Sequence, residues 1–296
     1  MFYSMFSILL FFMLFNQLFT VNNALRQLAF SGGGSFGAVE IGILKRILET
    51  ENNQYYDLYT GISAGALNAG FLSYFSNLNT GGKSAEKMYS SIRNLLIYEL
   101  EPFTGVSILN TEPLSKTLTK VIDGMPGEPV VHTLIGATNL YSGNLDVYTF
   151  EDNDDYNKVQ LLLSSSAIPG IFPPVKYNGQ LYADGGTLSN ELLMVKSSTE
   201  YLNITYITPY DGYEYNDEPI TSLKDMIKRT WDIVSSNFNN PLATLNQNCE
   251  NPVGEINKYF VRSQYLTDYN SLNFDTGKEL IDIGYQYVTS KKYKIC

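Results

Sequence analysis

The pentapeptide Gly61-Ile62-Ser63-Ala64-Gly65 constrains this chain more than any other stretch. It matches G-x-S-x-G and joins a strand-like run to a helix-like run. Tyr55 to Ile62 is rich in aromatic and β-branched residues, and Ala64 to Phe75 carries Leu67, Phe71 and Phe75 at a four-residue spacing. A strand that turns sharply into a helix needs small residues on both sides, because Cβ atoms would collide there. The turn therefore commits this part of the chain to an α/β arrangement. It also pushes the serine Oγ out at a helix N-terminus, where N–H groups and the helix dipole favour developing negative charge. Taken alone, the same five residues also fit a Gly/Ser-rich turn of no chemical consequence.

A second glycine-rich turn, Ser31-Gly32-Gly33-Gly34-Ser35-Phe36-Gly37, lies between the strand-like Leu28-Ala29-Phe30 and an amphipathic helix with Val39, Ile43, Leu44, Ile47 and Leu48 on its apolar side. Its N–H groups at a positive helix end suit an oxyanion, and equally a phosphate. Gly32, Gly34 and Gly37 do match G-x-G-x-x-G, and Asp57 stands about where a ribose would want an acid. That reading, a nucleotide-binding oxidoreductase, leaves the serine elbow unexplained. No Gly-Lys-Ser/Thr closes the loop, which rules out a Walker A site.

A serine hydroxyl becomes a useful nucleophile only when a base takes its proton. The chain has one histidine, His132, at the entrance of the strand-like 130–138 run, where it reads as structural. A carboxylate is the better candidate, and Asp184 is the best of them. It ends a short strand, Gln180 to Ala183, and two glycines follow it. As an isolated motif this also fits a plain Asp-Gly turn. The acids Glu151, Asp152, Asp154 and Asp155 sit in a polar run and read as a solvated loop.

Together these segments resemble the patatin-like phospholipase family. Order and spacing agree as well as composition: glycine loop first, G-x-S-x-G about thirty residues later, Asp184-Gly185-Gly186 about a hundred and twenty after that. Ser164-Ser165-Ser166-Ala167-Ile168-Pro169-Gly170-Ile171-Phe172-Pro173-Pro174-Val175 resembles the stretch preceding the family's catalytic Asp. The resemblance covers about residues 27 to 208. It implies a three-layer α/β/α sandwich with a mostly parallel central sheet, and a lipid acyl hydrolase of phospholipase A or esterase type. It implies Ser63 as nucleophile, Asp184 as base, and an oxyanion hole among Gly32, Gly33, Gly34 and Ser35. It implies no metal and no cofactor for the chemistry, and a glycerolipid or phospholipid substrate at a membrane or micelle surface. Two positions depart from the family pattern. Phe36 stands where many members carry Arg or Lys, so the loop lacks a nearby positive charge. Glu191 follows Asn190 where many members have Pro. A transacylase, or a non-catalytic storage or lipid-binding protein on the same scaffold, are the alternatives.

The formal net charge of −10 excludes nucleic acid as an expected partner, and no obligate protein partner is expected. Three segments are expected along the chain: residues 1–24 as a signal peptide, 25–210 as the patatin-like catalytic core, and 211–296 as a C-terminal helical part packed on it. Met5 to Phe15 is a nearly unbroken apolar run, short for a spanning helix and suited to an h-region. It lacks a preceding Lys or Arg, so an uncleaved signal anchor is the runner-up. Either way the expected route is secretory, to a secreted or lumenal location or to a membrane anchor. In that compartment Cys249 and Cys296 could pair. Asn203-Ile204-Thr205 is a glycosylation sequon in an expected strand. Helices are expected over Ser84 to Leu96, Thr111 to Val121, Ser222 to Phe238 and Thr276 to Thr289.

Overall fold

The glycine-punctuated strand–helix pattern builds one mixed sheet with helices against it. A computed structural model describes residues 24–51, 55–100, 105–194, 201–209, 211, 219–223, 225–227, 229–230, 233 and 251–296. Residues 1–23 of the expected signal segment, Cys249 and most of the expected Ser222 to Phe238 helix lie outside the described residues.

In chain order the elements are β1 (Leu25–Phe30), α1 (Gly37–Thr50), β2 (Leu58–Ile62), α2 (Ala64–Leu72), α3 (Leu78–Ser91), β3 (Glu99–Leu100), β4 (Leu109–Asn110), α4 (Glu112–Asp123), β5 (His132–Asn139), β6 (Leu145–Thr149), α5 (Asp155–Ser165), β7 (Val175–Tyr177), β8 (Gln180–Asp184), β9 (Leu202–Ile207), β10 (Gly254–Val261), α6 (Gly277–Tyr287) and β11 (Val288–Ile295). The main sheet runs β11-β10-β9-β1-β2-β5-β8-β7, with β6 also paired to β5. Its centre, β10-β9-β1-β2-β5, is parallel throughout. Antiparallel pairs finish both edges. The mixed α/β class with a mostly parallel central sheet flanked by helices is therefore as expected.

Strand alternation sorts the core. Leu28 and Phe30 join the main apolar cluster with Val39, Ile43, Leu44 and Ile47 of α1. Ala29 faces the other way, with Leu202, Ile204, Tyr206 and Ile256. On that second face Gln27 and Thr60 donate to the Leu192 carbonyl, at 2.7 Å each, which holds the strap after β8 across the sheet.

The C-terminal part is not simply helical. β10 and β11 extend the same sheet, and the sequence reading missed both. β10 alternates buried and half-buried residues from Gly254 to Tyr259, but its polar Glu255, Asn257 and Lys258 obscured the period. Its helix α6 crosses α1 where each helix offers a glycine. A Cβ at Gly42 would sit 2.1 Å from the Ile281 carbonyl oxygen, and one at Gly284 would sit 2.1 Å from that of Val39. α5 was also missed: the acidic run that reads as a solvated loop is its cap, with Asp154 accepting from the Asn157 N–H at 2.8 Å. α3 begins at Leu78 rather than Ser84 and stops at Ser91, because Asn77 caps it and Gly81 packs on Leu72 and Phe75. Cys296 is disulfide-bonded. Asn203 lies inside β9, paired on one side with β1 and on the other with β10, not on the surface loop a sequon favours.

Candidate active site

Sheet register brings the key residues together. Ile62 at the end of β2 pairs with Gly136 in β5, and the next β5 residue, Ala137, pairs with Asp184 in β8. Ser63 and Asp184 thus flank the same stretch of β5, although 121 positions separate them. Ser63 Oγ donates to Asp184 Oδ2 at 2.6 Å.

The elbow holds Ser63 at φ 55° and ψ −124°, a region costly for a residue with a Cβ. Two features maintain it. Ser63 N–H donates to Ser165 Oγ at 2.9 Å, and Ser165 Oγ donates to the Gly136 carbonyl at 2.7 Å. The flanking glycines admit backbone on backbone: a Cβ at Gly61 would lie 2.2 Å from the Gly65 oxygen, and one at Gly65 would lie 2.4 Å from the Ser31 oxygen. The motif is thus a steric requirement of the fold.

Asp184 is fully buried, and Ser63 is 5 % exposed. Burial raises the Asp184 pKa to about 7, against the opposing pull of hydrogen bonds from Ser63 and from the Gly186 N–H, the latter at 2.8 Å. Gly185 is required beside it, since a Cβ there would meet the Gly136 oxygen at 2.7 Å.

The four loop residues expected to form an oxyanion hole divide into two pairs. Gly32 N–H is taken by Asn190 Oδ1 at 3.1 Å, and Ser35 N–H by the Ser271 carbonyl at 2.7 Å. Among the described residues no acceptor meets the N–H of Gly33 or Gly34. Gly34 has φ 58°, a left-handed conformation that suits glycine. The loop lies directly over the serine: a Cβ on Gly32 would be 3.0 Å from Ser63 Cβ.

Three supporting residues escaped the sequence reading. Asn190 clamps Gly32 in both directions, its Nδ2 donating to the Gly32 carbonyl at 3.2 Å. Ser165 steadies the elbow; its segment is serine-rich, but no spacing rule gives it a role. Glu40 is buried in α1 and accepts from Ser31 N–H at 2.9 Å and from Asn68 Nδ2 at 2.8 Å, so it ties the glycine loop to the helix that follows Ser63. Burial holds its carboxyl well above the usual range, and the donors from Asn68 and Ser31 pull the other way. Its helical position among apolar neighbours was the only signal. We expect Glu40→Ala to destabilise the fold by about 1–3 kcal/mol, since Asn68 loses a buried acceptor, and Glu40→Gln to lose less. Urea unfolding midpoints of the two variants check this.

Neither His132 nor Asp57 shares the site. His132 pairs with Leu58 at the far end of β2 and bonds Glu151. Leu58 lies five positions before Ser63 along the strand, roughly 16 Å at 3.3 Å per residue. Asp57 sits at that same far end and accepts from Arg26 N–H at 3.0 Å, which removes the acid that the nucleotide reading needed.

A parallel-centred α/β sheet, a serine on a strained strand–helix elbow and a buried carboxylate against it define a hydrolase-type α/β protein. The chain belongs to the patatin-like phospholipase family, whose model matches residues 28–195, more than half of its length. It is 37 % identical over 57 residues to a probable lipid hydrolase, 463L, of Invertebrate iridescent virus 6, a match covering 19 % of this chain and 20 % of that protein. Among solved structures it is similar to VipD from Legionella pneumophila, with a TM-score of 0.42 and 12 % identity, covering 90 % of this chain and 67 % of that one. A chain of the ExoU–SpcU complex from the type III secretion system of Pseudomonas aeruginosa matches with a TM-score of 0.34 and 11 % identity, covering 91 % and 53 %.

Proposed function

We propose that the chain is a serine acyl hydrolase, of phospholipase A or esterase type, that cleaves fatty-acyl esters of glycerolipids at a membrane or micelle surface. The observation that carries this is the 2.6 Å bond from Ser63 Oγ to a buried Asp184 whose pKa is near 7. A carboxylate with the ordinary pKa near ~4 is a poor base for a hydroxyl; burial makes this one stronger. A storage or lipid-binding descendant has no need for that contact.

Asp184 takes the Ser63 proton as Oγ attacks the ester carbonyl carbon. The tetrahedral oxyanion accepts hydrogen bonds from the N–H groups of Gly33 and Gly34, each such donor being worth about 3 kcal/mol of barrier. Protonated Asp184 then gives its proton to the leaving alcohol. Water attacks the acyl-enzyme by the same route and regenerates Ser63. Gly32 and Ser35 hold the loop in place instead of donating to the oxyanion. Phe36 adds no positive charge, so stabilisation rests on amide dipoles and the N-terminus of α2.

The test is a fluorophosphonate probe. Labelling at Ser63 in the wild type, absent in Ser63→Ala, is expected; equal labelling of both would refute the assignment. We also propose secretory routing directed by residues 1–24. A mature N-terminus near Leu25 on sequencing supports cleavage, whereas Met1 supports the anchor.

A further inference from the structure

The consecutive glycines Gly32, Gly33 and Gly34 carry no side chains, so the loop over Ser63 must be held by other segments. On one side Asn190 clamps Gly32. On the other the hold comes from the C-terminal part, outside the residues that the family model matches. The Ser271 carbonyl accepts from Ser35 N–H at 2.7 Å, and the Asn270 carbonyl accepts from Ser35 Oγ at 3.1 Å. The same Ser271 oxygen sits so close to Gly34 that a Cβ there would lie 2.2 Å from it. The turn is itself braced. Asn270 Oδ1 accepts from Leu272 N–H at 2.9 Å, and the Leu272 carbonyl accepts from the Tyr98 hydroxyl at 2.9 Å. The Leu272 side chain is buried with Leu109, Ile168, Ile171 and Phe172. That cluster stands on the segment that holds the proposed base, because the Ala167 carbonyl accepts from Asp184 N–H at 2.8 Å. One turn thus ties the glycine loop to the stretch beside Asp184.

We propose that the turn Asn270–Leu272 is a positioning element of the acyl-transfer site, with Leu272 as its anchor: by holding the Ser271 carbonyl on Ser35 N–H, it fixes the direction in which the Gly33 and Gly34 amides face the oxyanion. The proposal rests on the hydrolase reading and deepens it, since it makes the rate of that site depend on the C-terminal part. Glycine dihedrals are soft. Gly34, at φ 58°, has no side chain to hold its peptide in place. A fixed carbonyl on the next N–H supplies that restraint. Without it the loop can turn its amides elsewhere, and an error of about 1 Å in such a constellation costs up to about 100-fold in rate. A turn that only covered the core would need the Leu272 side chain alone. It would have no use for two bonds to Ser35.

The experiment measures kcat and KM for p-nitrophenyl butyrate in the wild type, Leu272→Ala, Leu272→Met, Asn270→Ala and Ile256→Ala. Rates are divided by the active sites that a fluorophosphonate titrates to completion. Ile256 is buried in β10 on the other face of the sheet, so its truncation costs folded protein without touching the loop. Per titrated site, kcat is expected to fall by about tenfold to 100-fold in Leu272→Ala with KM nearly unchanged, the pattern of a contact that matters only in the transition state. In Asn270→Ala it is expected to fall about fivefold, the equivalent of one lost hydrogen bond. Leu272→Met, which keeps the volume, is expected to retain most of the wild-type kcat, and Ile256→Ala all of it. Asn270 is exposed, so Asn270→Ala keeps its packing and decides the matter where Leu272→Ala does not fold. An unchanged kcat per site in Asn270→Ala, and in Leu272→Ala where that variant folds, overturns the positioning role while leaving ester hydrolysis standing. An equal fall in Ile256→Ala overturns it too. A wild type that neither hydrolyses butyrate nor takes the fluorophosphonate overturns the hydrolase reading itself, and the positioning role with it.

Discussion

Asp184→Asn is expected to lower ester hydrolysis by at least roughly 10⁴-fold and, at the same time, to make the folded chain more stable above neutral pH. The loss follows from removing the carboxylate proposed as base, which accepts from Ser63 Oγ at 2.6 Å; knocking out the base of a serine hydrolase costs on that order or more. The stability gain follows from burial. Asp184 has a pKa of about 7 in the folded chain and near ~3.9 when unfolded. The folded state therefore binds more protons across that interval. Its advantage from a protonated Asp184 is complete below about pH 4 and is lost as the pH rises through about 7. The forfeited stability is of the order of 4 kcal/mol, from about three units at about 1.4 kcal/mol each. Asn carries no such titration. The difference in unfolding free energy between Asp184→Asn and wild type is thus expected to grow from pH 4 to 7 and then level off, as measured by urea denaturation at several pH values. In parallel, wild-type kcat/KM is expected to climb through about pH 7, as the base form of Asp184 appears. A flat stability difference would mean that Asp184 titrates normally. A variant retaining near-full activity would mean that another base serves Ser63.

Gly65→Ala is expected to destabilise by at least about 3 kcal/mol, the upper end for overpacking, and to abolish activity with it. The added methyl would come within 2.4 Å of the Ser31 oxygen and 2.5 Å of the Phe30 oxygen. Both are backbone atoms of β1 and its exit turn, so no rotamer change relieves the clash. The elbow or the glycine loop must move, and the Ser63-to-Asp184 distance moves with it. The control is Gly82→Ala in α3, where the nearest atom is the flexible Leu48 Cδ1 at 3.6 Å. There the same substitution is expected to be neutral or stabilising by up to about 1 kcal/mol, from helix propensity alone. Thermal and urea midpoints of the two variants give the comparison; similar shifts would sink the steric account.

Much of the fold was legible because its signals are local. The glycine turns, the aromatic and β-branched runs of β2 and β5, and the four-residue spacing of α2 each need only a short window. What failed to show has a common cause. In β10 the polar residues Glu255, Asn257 and Lys258 mask the alternation, and the strand forms because β9 and β11 pair with it on both sides. α3 runs through Gly81 and Gly82 because packing against α1 and α2 outweighs the local preference. The site divides in the same way. Ser63 and Asp184 carry motifs, whereas Glu40, Ser165 and Asn190 are ordinary polar residues until the fold aims them at one loop or one amide.

The chain's local chemistry therefore settled where it must turn sharply, because glycine alone tolerates the contacts at Gly61, Gly65 and Gly185, and it marked the serine and the acid. Tertiary structure decided which loop amides meet no acceptor among the described residues and what pulls the aspartate toward pH 7. Those properties come from distances between segments and from the exclusion of water, and neither exists before the sheet has assembled.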